Sequence, residues 1–328
     1  MRSMIAGRGP RVTIARTVDR RAAERHGAST VYCAAMAEVH GADPNADSDA
    51  ARTPSAGDGV GHSRLRVATW NLWWHFGPWE RRQPVIVETM RSVDADVWCL
   101  QEVFAGRDGA DQAQDLAAAL GGFHVAHASR FDLDDFDESI GNAVLSRWPI
   151  REHAMHPLPA PDGLDELRLV LRATIAAPWG DLEVFSTHLN WRLDQSHVRQ
   201  AQVEAICAFV AGTHARRTFP PVLCGDFNAD PESDEIRMLT GLAAVPVEKL
   251  VFIDAWRAGG VGPGMTWDNR NAFAAEDYEP DRRIDYVLVG YPRDAGIGQV
   301  LDAELLGCDP IDGTWPSDHF GVVATLRA

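Results

Sequence analysis

Short apolar runs recur along this chain, and they keep ending at side chains that can bind a metal or carry a proton. Leu65–Thr69 runs into Trp70-Asn71, Asp96–Leu100 into Gln101-Glu102, Leu182–Thr187 into His188, and Val222–Cys224 into Gly225-Asp226-Phe227-Asn228. Asp285 falls inside the run Ile284–Val289, and Asp318-His319 opens the last one, His319–Leu326. An apolar strand that meets a carboxylate, amide or imidazole presents that group at the rim of its sheet, where water and ligand reach it. One such junction is ordinary; six in one chain predict convergence on a single cleft.

Between these runs the periodicity switches to that of helices. Glu80–Ser92 is amphipathic, Asp111–Leu120 is closed by Gly121-Gly122, and Asp194 reads as the cap of a long helix to about Ala211. Gly141–Ser146, Leu169–Ala176 and Val300–Leu306 read as further strands. Such alternation over residues 64–328 predicts one α/β domain, built as a sandwich. Residues 1–63 differ. From Gly41 to Ser63 they are Ala, Asp, Pro, Gly and Ser with almost no large apolar residue, too little burial to offset the ordering entropy. They are expected to be a disordered extension.

Composition excludes several classes. No apolar run reaches the roughly 18 residues of a membrane-spanning helix, so no integral membrane association is expected. The net charge of −16 argues against holding nucleic acid by blanket neutralisation, though not against meeting phosphate locally through a cation. The cysteines number five, with no CxxC spacing, and Cys99 and Cys224 sit in strand-like runs as small hydrophobes. A reducing, cytoplasmic compartment is expected; a leader ending at Ala35-Met36-Ala37 is the alternative. Monomer is the default.

The ordered set Thr69-Trp70-Asn71, Leu100-Gln101-Glu102, Gly141-Asn142-Ala143-Val144-Leu145-Ser146-Arg147, Ser186-Thr187-His188-Leu189, Gly225-Asp226-Phe227-Asn228, Arg283-Ile284-Asp285-Tyr286 and Ser317-Asp318-His319 resembles the endonuclease/exonuclease/phosphatase superfamily. The resemblance covers residues 64–328 and implies a four-layered sandwich, two stacked mixed β-sheets flanked by helices. It implies a phosphoesterase, acting by in-line attack of an activated water and dependent on Mg²⁺ or Mn²⁺, the ions that oxygen ligands suit. Asn71, Glu102 and Asp318 would hold the metal. Asp226 would orient or deprotonate the water, with Asn228 on the phosphate or nucleophile. Asp285 and His319 would form a carboxylate–imidazole pair that keeps the ring protonated, and His188 would donate to phosphoryl oxygens. Arg168 and Asn142 are candidate substrate contacts.

Each residue alone has a plainer reading: Asn71 as a turn residue, Glu102 as a solvent-facing acid, His188 on a carbonyl, Asp226 with Asn228 as a turn brace, Asp285 paired with Arg282 or Arg283. The ordered set is what lifts them above it. A binding protein that had abandoned catalysis would lack a central group, and here all are present. The family's nucleases often carry a tyrosine in the middle region; the tyrosines of this chain are Tyr32, Tyr278, Tyr286 and Tyr291, which separates it from the abasic-site enzymes. Trp70 and Trp98 read as core. Trp73, Trp74, Trp79, Trp191, Trp267 and Trp315 fall near the motifs or in late loops, where they could stack on bases. A nucleic-acid substrate is therefore expected over a phospholipid head group or other small phosphoester, the alternative.

Overall fold

A computed structural model describes residues 63–129, 138–160, 168–214 and 219–328. The expected disordered extension, save Ser63, lies outside them, as does the acidic run Asp132–Glu138 save its last residue.

Strands β1 (Arg64–Asn71), β2 (Val97–Gly106), β3 (His124–Ser129), β4 (Glu138–Ser146), β5 (Ile150–Pro157), β6 (Leu169–Ala177), β7 (Gly180–His188), β8 (Val222–Asp226), β9 (Phe252–Asp254), β10 (Asp285–Gly290), β11 (Val300–Leu306) and β12 (Gly321–Arg327) form two six-stranded sheets. One runs β11-β12-β1-β2-β4-β3, the other β5-β6-β7-β8-β10-β9. Each is antiparallel except for one parallel pair near its centre, β1 with β2 and β7 with β8. The helices are α1 (Trp79–Val93), α2 (Gln112–Ala119), α3 (Ser196–Thr213), α4 (Asp234–Leu239) and α5 (Ala255–Gly259).

The apolar alternation of the strands sorts into three layers of core. Leu65, Val67, Val97, Cys99 and Val144 face Leu171, Val184, Cys224 and Val287 between the sheets. Ile86 and Met90 of α1, with Leu116 of α2, cover the outer face of the first sheet beside Trp70 and Trp98. Val203 and Ile206 of α3 and Leu239 of α4 cover the second. This is the four-layered sandwich, and Trp70 and Trp98 are core, at 0 and 1 % exposure.

Two local expectations change. α3 begins at Ser196 behind Gln195 rather than behind Asp194, and Gln195 makes no side-chain cap bond; this helix entrance is instead held by buried Arg199, whose Nη1 donates to the carbonyls of Asn190 and Arg192. β2 does not stop at Leu100 but continues to Gly106. Its register against β4 jumps between Leu100 and Val103, so Gln101 and Glu102 form a bulge. Asp111 caps α2 as its sequence position suggests, accepting from the N–H groups of Ala113 and Gln114.

Candidate active site

Strand register assembles the site. Parallel pairing of β7 and β8 sets His188 opposite Asp226, and antiparallel pairing of β10 with β8 sets Asp285 opposite Asp226. Three polar residues thus lie side by side across one end of the second sheet. In the first sheet, Asn71 at the end of β1 pairs with Gln101, immediately before Glu102. Glu102 and Asn228 both hold a φ of 51°. Left-handed backbone at residues other than glycine costs of order 1 kcal/mol or more and gathers where function requires it.

At this end the Asn71 amide joins the two sheets. Asn71 Nδ2 donates to Glu102 Oε1 at 3.2 Å and to Asp226 Oδ2 at 3.0 Å, while its Oδ1 accepts from the Trp73 N–H at 2.9 Å. Asp226 Oδ1 accepts from the Asn228 N–H at 2.9 Å. His188 Nε2 lies 3.3 Å and His319 Nε2 3.8 Å from Asp226 Oδ2. His319 Nδ1 lies 2.9 Å from Asp285 Oδ2. The ring meets Trp267 edge-on, 5.1 Å between centroids, and the His319 carbonyl accepts from Trp70 Nε1 at 3.0 Å. Ser317 Oγ donates to the Asn71 carbonyl at 2.7 Å and accepts from the His319 N–H at 3.2 Å, bringing Asp318 to the same cleft.

The Asn228 amide meets the His188 ring. Its Nδ2 has two hydrogens, one donated to the Leu189 carbonyl at 3.2 Å and one toward His188 Nε2 at 3.1 Å. Nε2 thus faces both this amide and the Asp226 carboxylate, while Nδ1 lies 4.0 Å from Glu102 Oε1. Burial, then the charges of Arg168 and His319, hold His188 well below the usual imidazole range, so it is neutral and offers one proton. His319 is the opposite case. Burial would discharge it, but Asp285, Asp226 and Asp318 outweigh burial and raise it well above that range. Two histidines of one cleft thus stand in different charge states.

The carboxylates are crowded. Burial, then Asp285, pushes Asp226 up to about 6. Burial raises Asp318 to about 7, with His319 opposing and Glu102 adding to the rise. Glu102 is raised too, chiefly by burial, against the Asn71 hydrogen bond. Asp285 Oδ1 is buried without a hydrogen-bond partner. Acids held this far above their ordinary range lack positive charge, and an all-oxygen set of carboxylate and amide groups is the donor chemistry of a hard divalent cation. The residues fit one. The tightest acid–imidazole group among the described residues is Asp226, Asp285 and His319, with atoms within 4.8 Å of one another. Because His319 is protonated and bonded to Asp285, that trio suits proton handling better than ligation.

Arg168 lies within electrostatic reach of Glu102 and His188. Asn142 is buried between the sheets, its Nδ2 donating to the carbonyls of Leu169 at 3.1 Å and Ser186 at 3.4 Å, so that nitrogen is engaged by backbone. Arg282 pairs with Asp230 and Arg283 with Asp254, leaving Asp285 to His319. One charged group that sequence reasoning missed is Arg82, wholly buried beneath the cleft; a charge in a helix's first turn gives no sign of burial.

Residues 68–319 match the Endonuclease/Exonuclease/phosphatase family. No curated protein matches the chain. Among solved structures, an endonuclease/exonuclease/phosphatase from Beutenbergia cavernae is 26 % identical, with 80 % of this chain and 71 % of that chain covered and a TM-score of 0.60. The human Nocturnin catalytic domain with bound sulfate anion is 22 % identical over 80 % of this chain and 94 % of its own, at a TM-score of 0.59. Truncated Caenorhabditis elegans TDP2 is 18 % identical over 81 % and 98 %, at 0.61. The last two share the fold.

Proposed function

The chain belongs to the endonuclease/exonuclease/phosphatase family, and we propose that it hydrolyses phosphodiester bonds by direct attack of water, with nucleic acid as its substrate. The observation that carries this reading is the shared Asn71 amide, which gathers Glu102 of one sheet and Asp226 of the other around one cleft whose acids call for a cation.

Glu102 and Asp318, with Asn71 beside them, would hold Mg²⁺ or Mn²⁺. Bound there, the ion supplies Lewis-acid neutralisation of phosphate charge. The protein's own groups do the rest. Asp226 is the base: fixed by Asn71 and by the Asn228 N–H, and raised to about 6, it is ionised at neutral pH yet basic enough to take a proton from water. Asn228 orients the nucleophile. His319, kept as imidazolium by Asp285, stabilises charge on the phosphoryl oxygens as the leaving alkoxide departs. Neutral His188 donates one further hydrogen bond, and Arg168 adds positive charge on that side. Among the described residues no serine or cysteine is poised as a nucleophile, which favours direct attack by water.

Nucleic acid is favoured by the aromatic side chains that follow Asn71 and His188 in the sequence. Trp73 lies 4.7 Å from Phe273, and His75 lies 4.3 Å from Trp79 and 4.0 Å from Phe104. Trp191, three residues beyond His188, keeps 48 % of its surface exposed. Such side chains stack on bases. The test is turnover of bis-(p-nitrophenyl) phosphate with and without EDTA. We expect metal-dependent release that falls at least ~100-fold in Asp226→Asn and in His319→Ala; undiminished rates in those variants sink the mechanism. Plasmid DNA, short single strands and sphingomyelin vesicles then compare substrates, and preference for sphingomyelin overturns the nucleic-acid reading.

A further inference from the structure

Arg82 belongs to the first turn of α1 and is 0 % exposed. Its guanidinium carries five N–H bonds, and each is directed at a backbone carbonyl. Nε donates to Phe76 at 3.1 Å, Nη1 to Leu72 at 2.9 Å and to Pro316 at 2.8 Å, and Nη2 to Trp73 at 2.9 Å and to Trp74 at 2.7 Å. Four of these carbonyls belong to the segment that leaves Asn71. The fifth belongs to the segment that enters Asp318.

The two segments have little regular structure of their own. Trp73 and Trp74 both hold positive φ, 58° and 33°, conformations that persist only where the surroundings over-determine them. Arg82 supplies that constraint, with its guanidinium 4.7 Å from the Trp73 ring centroid. Because its hydrogen bonds go to neutral carbonyls, its charge remains available to Asp318 and Glu102, whose fields it feels. Burial lowers it to about 10, so it stays cationic at neutral pH.

We propose that Arg82 is the positioning residue of the cation site, tying the Asn71 and Asp318 segments into one rigid wall so that Asn71, Glu102 and Asp318 keep the spacing a divalent ion demands. This rests on the metal reading given under Proposed function. A lysine at the same position keeps the charge but has three donors on a single point rather than a planar fork, so at least two of the five carbonyls lose their partner and the wall is held less completely. Buried groups that orient metal ligands are typically worth 10–100-fold in metal affinity.

The test titrates MgCl₂ into metal-free protein and follows the thermal unfolding midpoint, which rises on cation binding whether or not turnover occurs. Arg82→Lys is compared with wild type and with Arg199→Lys. Arg199 is also buried and also clamps carbonyls, those of Asn190 and Arg192, but away from the cation ligands. We expect Arg82→Lys to need at least ~10-fold more Mg²⁺ for the half-maximal rise. Arg199→Lys should lower the midpoint yet keep the wild-type Mg²⁺ requirement. An unchanged requirement in Arg82→Lys, or an equal weakening in both variants, overturns the proposal. A wild-type midpoint indifferent to Mg²⁺ removes the metal reading itself, and this inference with it. If Arg82→Lys does not fold, hydrogen exchange on wild type reads the same tie: Mg²⁺ slows exchange in 72–76 and 314–318 together, and protection of one segment alone overturns it.

Discussion

Asp318 sets stability against the role proposed for it. Its carboxyl ionises at about 7 in the folded protein, against about 4 in an unfolded chain. Between those values the native state holds a proton that the unfolded chain has released, so stability falls as pH rises through that window. His319, raised well above the usual imidazole range, retains a proton that the unfolded chain loses above about 6.5, and it acts in the same direction. His188, held well below that range, opposes them only up to about 6.5, so metal-free protein should lose thermal stability from there to pH 8. Asp318→Asn removes the acid, so in EDTA it should melt above wild type at pH 8, match it more closely at pH 5, and lose most of its response to Mg²⁺. Melting curves at both pH values check this; an Asp318→Asn protein that is less stable than wild type at pH 8 contradicts it. Sites that hold unrelieved like charge are where such gains in stability at the expense of activity are found.

At the scale of elements, the parallel pair β7–β8 fixes the spacing of His188 and Asp226, and Gly225 permits that pairing. A Cβ at Gly225 would stand 2.0 Å from the Thr187 carbonyl oxygen, a contact with backbone that cannot swing aside. Gly225→Ala should cost roughly 3 kcal/mol, a fall in Tm of around 10 °C, and abolish activity. Gly212 in α3 is the control: nothing lies within 4 Å of its Cβ position, so Gly212→Ala should raise stability by about 0.5–1 kcal/mol. Differential scanning calorimetry of both separates crowding from a general intolerance of substitution. The same elements show what a sequence can disclose. Central strands, buried on both faces, read as continuous apolar runs, and their ends marked the site. Edge strands β3 and β5, HVAHAS and IREHAMHP, have one neighbour each and mostly part-exposed or exposed residues, so nothing in their composition sets them apart from loop. The bulge at Glu102 was equally hidden, because glutamate gives no hint of a positive φ, whereas asparagine at 228 favours one. Arg82 was hidden for another reason: its partners are carbonyls contributed by segments hundreds of positions apart.

For the whole molecule, charge decides how a nucleic acid could be held. The chain carries −16 overall, and the positive groups in the cleft are few: Arg168, protonated His319 and the buried Arg82. A nuclease that grips a long duplex through Z phosphates loses affinity with salt at a slope near −0.9Z, or about −0.7Z on single strands. The Arg82 donors are taken by backbone carbonyls, so Arg168 and His319 put Z in the cleft near two, and the protein's net repulsion of a polyanion is itself screened by salt. Raising NaCl from 20 to 200 mM at fixed Mg²⁺ should therefore change kcat/KM on a short single-stranded oligonucleotide by no more than about 25-fold. Affinity must then come from contacts indifferent to salt. Trp191 is the exposed candidate beside His188, with Arg192 over its ring at 5.4 Å. Its loop is pinned by buried Asn190, which accepts from Gln202 Nε2 at 2.7 Å and donates to Gln195 Oε1 at 2.9 Å. Base stacking is worth about 1–3 kcal/mol per base, so Trp191→Ala should raise KM on the oligonucleotide roughly tenfold while kcat holds, and Trp191→Phe should recover most of the loss. A salt slope steeper than about −4, with KM untouched by Trp191→Ala, would mean that the substrate is held by phosphate charge along an extended footprint, which an acidic surface with one exposed tryptophan at its cleft has no means to provide.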